Sequence, residues 1–122
     1  MRRRYARPAT KMALSANLWL AEQLHTLNPD GTHYIRAFRT KKGRELALDR
    51  TLSGIYLWTE PVASGAPPRL AIMLRRRYAP TDTRNSNLKA NAPRLAVGNA
   101  ADYWLFPTLE DLKRFISWYR TL

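Results

Sequence analysis

Cysteine is missing from these 122 residues and histidine occurs only twice. No disulfide, thiolate metal site or cysteine nucleophile is therefore available, and a chain without cysteine fits a reducing compartment. Acids are scarce and scattered, nine Asp and Glu against 21 Lys and Arg. A nuclease that holds a divalent metal needs clustered carboxylates, which this chain does not offer. The five glycines form no Gly-x-Gly array of the kind that cradles phosphate. No apolar run approaches the ~18 residues of a membrane span. The N-terminal arginines are not followed by the apolar stretch of a secretory signal. These absences lead us to expect a cytoplasmic protein of bacterial or phage type, with no membrane, metal or cofactor and no assigned catalytic residue.

What is abundant is positive charge. The formal net charge is +12, with a sequence pI near 10.9, and it comes in blocks. Residues 1–11 carry five positive charges and no acid, residues 32–50 are net +4 and residues 69–94 net +6, while the rest is net −3. Positive blocks on an acidic remainder form the electrostatic footprint of a polyanion-binding protein. With 45% apolar residues, the chain is rich enough to bury a core and short enough for one. The expected organisation is a flexible basic arm over residues 1–9 and a single domain over residues 10–122. Pro8 blocks a helix through the arm, and Arg2, Arg3, Arg4 and Arg7 in it suit phosphates or a minor groove.

Hydrophobic periodicity predicts a first helix capped by Thr10 or Ser15 and running to about Thr26, with Leu14, Leu18, Ala21 and Leu24 on its buried face. Asn28-Pro29-Asp30-Gly31 is a stop and turn signature. Thr32 to Thr40, a Lys41-Lys42-Gly43 turn and Arg44 to Arg50 read as a hairpin with a basic tip. Ile55 to Thr59 is a β-branched and aromatic strand ended by Pro61. Leu70 to Leu74 reads as a buried strand, Gly98 to Asp102 as a turn, and Tyr103 to Phe106 as a further strand ended by Pro107. The final helix is capped by Thr108, with Glu110 and Asp111 in its first turn, and buries Leu109, Leu112, Phe115, Ile116 and Tyr119. The expected fold class is α+β, an antiparallel sheet of about four to five strands with an N-terminal and a C-terminal helix packed on it. Trp58, Trp104, Phe115 and Tyr119 lie in apolar runs and are assigned to the core.

The candidate site is the stretch after Leu74. Arg75, Arg76, Arg77 and Tyr78 lead into a polar loop holding Arg84, Asn85, Asn87 and Lys89. Arginine forks suit phosphate oxygens and base edges, and asparagine amides suit bases. Arg75, Arg76, Arg77, Arg84 and Lys89 are the expected main contacts, with Asn85 and Asn87 as base readers. Arg36, Arg39, Lys41, Lys42 and Arg44 would hold backbone phosphates from the hairpin. Tyr5, Tyr34 and Tyr78 lie among arginines, where they would either stack on bases or be pinned beneath a guanidinium. The expected activity is non-catalytic nucleic-acid binding, with DNA preferred over RNA.

Two other classes compete. A small metal-independent ribonuclease toxin would use His25 or His33 as acid or base, with arginines stabilising the phosphorane. A basic module would instead grip an acidic protein partner. Two histidines and Asp30 could hold a metal, but two surface histidines flanking a turn are the commoner reading of such spacing. Pro29-Asp30 with Asp111-Leu112-Lys113 superficially resembles the proline-aspartate and acid-x-lysine pattern of a large restriction-nuclease family. Here the second half falls on an amphipathic helix where that family uses a strand, so the resemblance is set aside.

Overall fold

The computed structural model describes residues 10–30 and 34–122. The N-terminal residues Arg2, Arg3, Arg4 and Tyr5, and His33, lie outside them. The chain folds as α+β. The strands are β1 (His25–Thr26), β2 (Ile35–Arg39), β3 (Glu45–Asp49), β4 (Ile55–Thr59), β5 (Leu74–Tyr78) and β6 (Ala101–Phe106). They form one antiparallel sheet in the order β1-β2-β3-β4-β6-β5. The helices among the described residues are α1 (Lys11–Gln23), α2 (Pro68–Ala71), α3 (Asn87–Asn91) and α4 (Leu109–Tyr119). The sheet thus has six strands where four to five were expected. The two-residue β1, which pairs His25 with Arg39 and Thr26 with Phe38, is too short to leave a period in the sequence.

Alternation along the strands divides the sheet into two faces. One face carries Phe38, Leu46, Leu48, Ile55, Leu57, Trp104 and Phe106, covered by α1 and α4. Phe115 lies among four rings there, with centroids 4.6 Å from Trp104, 5.0 Å from Phe106, 5.5 Å from Tyr119 and 5.7 Å from Trp118. The indole N–H of Trp104 donates to Thr59 Oγ1 at 2.8 Å. Helix α4 begins as its sequence predicts. Thr108 Oγ1 accepts from the Asp111 N–H at 3.1 Å, and Leu112, Phe115, Ile116 and Tyr119 are buried.

The opposite face carries Ile35, Ala37, Ala47, Trp58 and Ala101. It is covered by the segment between β5 and β6, through Leu88, Ala92, Leu95 and Ala96. That segment explains why β5 pairs with β6 and not with β4. The chain leaves β4, packs Ala63 and Leu70 against the first face, runs along β5, covers part of the second face, and places β6 between the two.

Three local expectations are corrected. The buried stripe of α1 is Ala13, Ala16 and Leu20, whereas Leu14 and Leu18 point outward, Leu18 at 66% exposure. Both stripes have helical spacing, and small alanines let the helix lie close against its neighbours, where leucines would hold it off. Leu70 to Leu74 is not a strand. Pro68 fits the first turn of α2, which shields Leu70 and leaves Ile72 82% exposed, so β5 begins only at Leu74. Asp102 belongs to β6, not to a turn. Its buried Oδ2 accepts from the Val62 and Ala63 N–H groups at 2.8 and 2.7 Å, which fixes the exit from β4.

The Tyr119 hydroxyl ties α4 to the neighbouring ends of β3 and β4, donating to the Glu45 carbonyl at 2.5 Å and accepting from the Glu60 N–H at 3.1 Å. Burial pushes its pKa up from the usual value near 10. The folded protein therefore keeps this proton at a pH where the unfolded chain has lost it. Stability is full below about pH 10 and falls as the pH rises beyond, by about 1.4 kcal/mol per unit from this group. Tyr119→Phe should lower stability at pH 8 but flatten its fall between pH 10 and 11. Urea titrations at stepped pH read the slope, and an unflattened slope would place the alkaline sensitivity elsewhere.

Candidate nucleic-acid interface

Strand β5 is an outer strand of the sheet, paired on one side only, with β6. Arg75, Arg76 and Arg77 are all exposed. The register slips between Leu74 and Arg76, a bulge that places Arg75 between rows. Arg76 then pairs with Tyr103 and Arg77 with Asp102, so neighbouring arginines fan to opposite sides of the edge. Both ion pairs are long; that of Arg76 is open to solvent, whereas that of Arg77 meets a buried carboxylate. Arg76 lies 3.8 Å from Asp82, and Arg77 lies 3.7 Å from Asp102, with both arginine side chains more than half exposed. The exposed Arg76–Asp82 pair is worth little and yields to a phosphate, while Arg77 also offsets the charge of buried Asp102. A row of arginines on an edge strand also deters edge-to-edge aggregation.

The loop after β5 is organised by Arg84. Its guanidinium donates to the carbonyls of Ala79 at 2.6 Å, Asn99 at 2.8 Å, Leu95 at 3.0 Å and Asp82 at 3.1 Å. These bonds tie both ends of the covering segment together. The loop amides serve the loop too: Asn85 Oδ1 accepts from the Asn87 N–H at 2.9 Å, and Asn91 Nδ2 donates to the Asn87 carbonyl at 2.8 Å. Lys89 is exposed on α3. Arg84→Met should cost about 1.5–3 kcal/mol, the usual contribution of hydrogen bonds made by a charged group. It should also open residues 79–99 to limited proteolysis. An unchanged urea midpoint and cleavage pattern would show that the segment is held by its apolar packing alone.

The hairpin arginines are also committed to their own fold. Arg39 pairs with Glu45 at 3.2 Å and Arg44 with Glu60 at 3.2 Å. Arg94 reaches Glu60 at 2.8 Å, Glu45 at 3.8 Å and the Gly43 carbonyl at 2.9 Å. Three arginines thus neutralise two buried glutamates at the sheet end beneath the turn. Arg36 donates to the Asn28 carbonyl, and Lys42 donates to the Thr121 carbonyl at 3.0 Å. Lys41 stands exposed at the tip. The register row Leu46–Thr59–Asp102–Arg77 brings the turn and the C-terminal end of β5 to the same end of the sheet.

Aromatic residues line the face beside β5. Tyr78 packs on Trp58 with centroids 4.8 Å apart. The guanidinium carbons of Arg76 and Arg84 sit 4.1 and 5.0 Å from its ring centre, which is cation–π geometry. Tyr103 lies 4.3 Å from Trp58 and 5.6 Å from Tyr56, nearly parallel to the latter at 24°. Tyr56 and Tyr103 are half-buried, and sequence reasoning missed them because they sit inside apolar runs. The period of two held the signal. Ile55 and Leu57 face α1 and α4, so Tyr56 and Trp58 must face away, and Trp104 and Phe106 likewise send Tyr103 and Leu105 away. Tyr34 is half-buried near the same cluster.

His25 lies exposed on β1, at the opposite edge from β5. At ~4.8 Å per strand it stands five strand spacings, roughly 24 Å, from the arginine run. No group of three His, Cys, Asp or Glu able to hold a metal occurs among the described residues, and no helix there is long and apolar enough to cross a membrane. Comparison with protein families, with curated proteins and with solved structures gave no match.

Proposed function

We propose that this is a small DNA-binding domain that acts without catalysis, as an accessory or regulatory factor in the cytoplasm of a bacterium or phage. The observation that carries the reading is the exposed arginine run of β5, set beside an aromatic face on a strongly basic chain. Arg75, Arg76 and Arg77 take phosphates, with Lys89 and Lys41 extending the track. Arg84 holds the loop in place, and Asn85 and Asn87 on that loop are assigned to base edges. Arg39 and Arg44 serve the buried glutamates first and phosphates second. His25 stands far from the β5 run, and the arginine beside it, Arg39, is paired with Glu45; this weighs against the ribonuclease reading, because acid–base groups must reach a phosphate that an arginine holds.

Binding of single- and double-stranded DNA and RNA at two salt concentrations tests the proposal. DNA should bind more tightly than RNA, and affinity should fall steeply with salt. Absence of salt-dependent binding to any nucleic acid would hand the arginine edge to an acidic protein partner.

A further inference from the structure

We infer that Tyr56 and Tyr103 form a platform on which the bases of unpaired DNA stack, which makes the domain a reader of single strands. The inference rests on the nucleic-acid reading above and adds which form of DNA is held and by which face. The segment between β5 and β6 covers the part of its sheet face that bears Ile35, Ala37, Ala47 and Ala101. Tyr56 and Leu105 lie beyond that cover and Tyr103 packs at its margin, and all three remain partly exposed. The two tyrosines stand on the neighbouring strands β4 and β6, two rows apart in the ladder and so on the same face. Their rings are nearly parallel at 5.6 Å, and buried Trp58 supports Tyr103 from 4.3 Å. Rings on central strands are fixed before any ligand arrives, so little freedom is lost on binding.

The charge beside the rings decides the occupant. Arg76 is the register partner of Tyr103, one strand spacing away, or about 5 Å, with Arg75 in the bulge next to it. A strand whose phosphates follow β5 would lay its bases inward over Tyr103 and Tyr56. A duplex hides its base faces in its own stack, so this arrangement suits only unpaired bases. Asp49, the register partner of Tyr56, has its Oδ1 occupied by the Thr51 N–H and hydroxyl at 3.0 and 2.9 Å. Burial, followed by the Asp49 carboxylate, pushes the Tyr103 phenol up, so it stays neutral beside phosphates. Gly54 belongs to the same construction: a Cβ there would come within 2.8 Å of Leu105 Cδ1 and 3.2 Å of the Tyr56 ring.

The test compares oligo-deoxythymidine with a duplex of equal length, using wild type, Tyr56→Leu, Tyr103→Leu and the double variant. Each single change should weaken oligo-deoxythymidine binding about 5- to 150-fold, from ~1–3 kcal/mol of stacking per base, with duplex binding and salt slope unchanged. Wild type should prefer the single strand. Because a leucine variant can also loosen the fold, a 5-bromodeoxyuridine oligonucleotide is photocrosslinked to the unaltered protein. Crosslinks should map to Tyr56 or Tyr103. Duplex preference, or crosslinks confined to other residues, overturns the platform while salt-dependent binding keeps the nucleic-acid reading alive. Failure to bind either DNA at low salt overturns both.

Discussion

Phe115→Ala should destabilise the protein by about 3–5 kcal/mol, the range for removing a buried aromatic side chain. The ring is fully buried and packs among Trp104, Phe106, Trp118 and Tyr119. Its loss leaves a cavity that four large rings cannot collapse to fill, since two of them are held elsewhere. Trp104 is tied to Thr59, and Tyr119 to the backbone of Glu45 and Glu60. A domain of this size has about 5–15 kcal/mol in total, so the variant should melt far below wild type or fail to fold at 37 °C. Urea unfolding measures the loss. A change under about 1 kcal/mol would mean that α4 is not docked on the sheet as described.

The second large effect is on binding. Replacing Arg75, Arg76 and Arg77 together with glutamine keeps the length and polarity of the edge strand but removes three charges. At up to about 1 kcal/mol for each exposed ion pair, affinity for DNA should drop by up to about a hundredfold. The slope of log K against log salt should become shallower, by at most about 0.9 for each phosphate left without its arginine. The loss should be alike for all sequences, since phosphate contacts carry no direct sequence information. Stability should fall slightly, because buried Asp102 loses the charge of Arg77, but the fold should survive, because Asp102 keeps its bonds to the Val62 and Ala63 N–H groups and Asp82 Oδ2 still accepts from the Ala79 N–H at 2.8 Å. Unchanged affinity in a folded triple variant would remove β5 from the interface.

Elements with one consistent period were legible in the sequence. Strand β4 matches its expected bounds, and the β2–β3 hairpin turns at Lys41-Lys42-Gly43, where Gly43 takes a φ of +98° that favours glycine. Helix α4 shows the cap and the apolar face that its residues dictate. Illegibility had three physical sources. Where two stripes of similar spacing compete, as in α1, the choice is made by what the helix packs against. Where an apolar run is short, as at Leu70 to Leu74, a proline at the start of a helical turn outweighs strand propensity. The insertion of β6 between β4 and β5 is a long-range pairing with no local trace.

The site divides in the same way. That the arginines after Leu74 would be exposed was legible from charge and position. What they stand beside was not, because Tyr56 and Tyr103 are 47 residues apart and become neighbours only through the β4–β6 pairing. Nor does sequence show that an arginine is already occupied. Arg84, Arg39 and Arg44 look as available as Arg75 until their carbonyl and glutamate partners are placed.

The most direct test of the account is to titrate isotope-labelled protein with DNA and map which backbone amides shift. Shifts should concentrate at residues 75–78 on β5, at Tyr103 on β6 and at Tyr56 on β4, and β1 and the outer face of α1 should stay still. Shifts centred on His25 and β1, or on Leu14 and Leu18 of α1, with β5 silent, would contradict it.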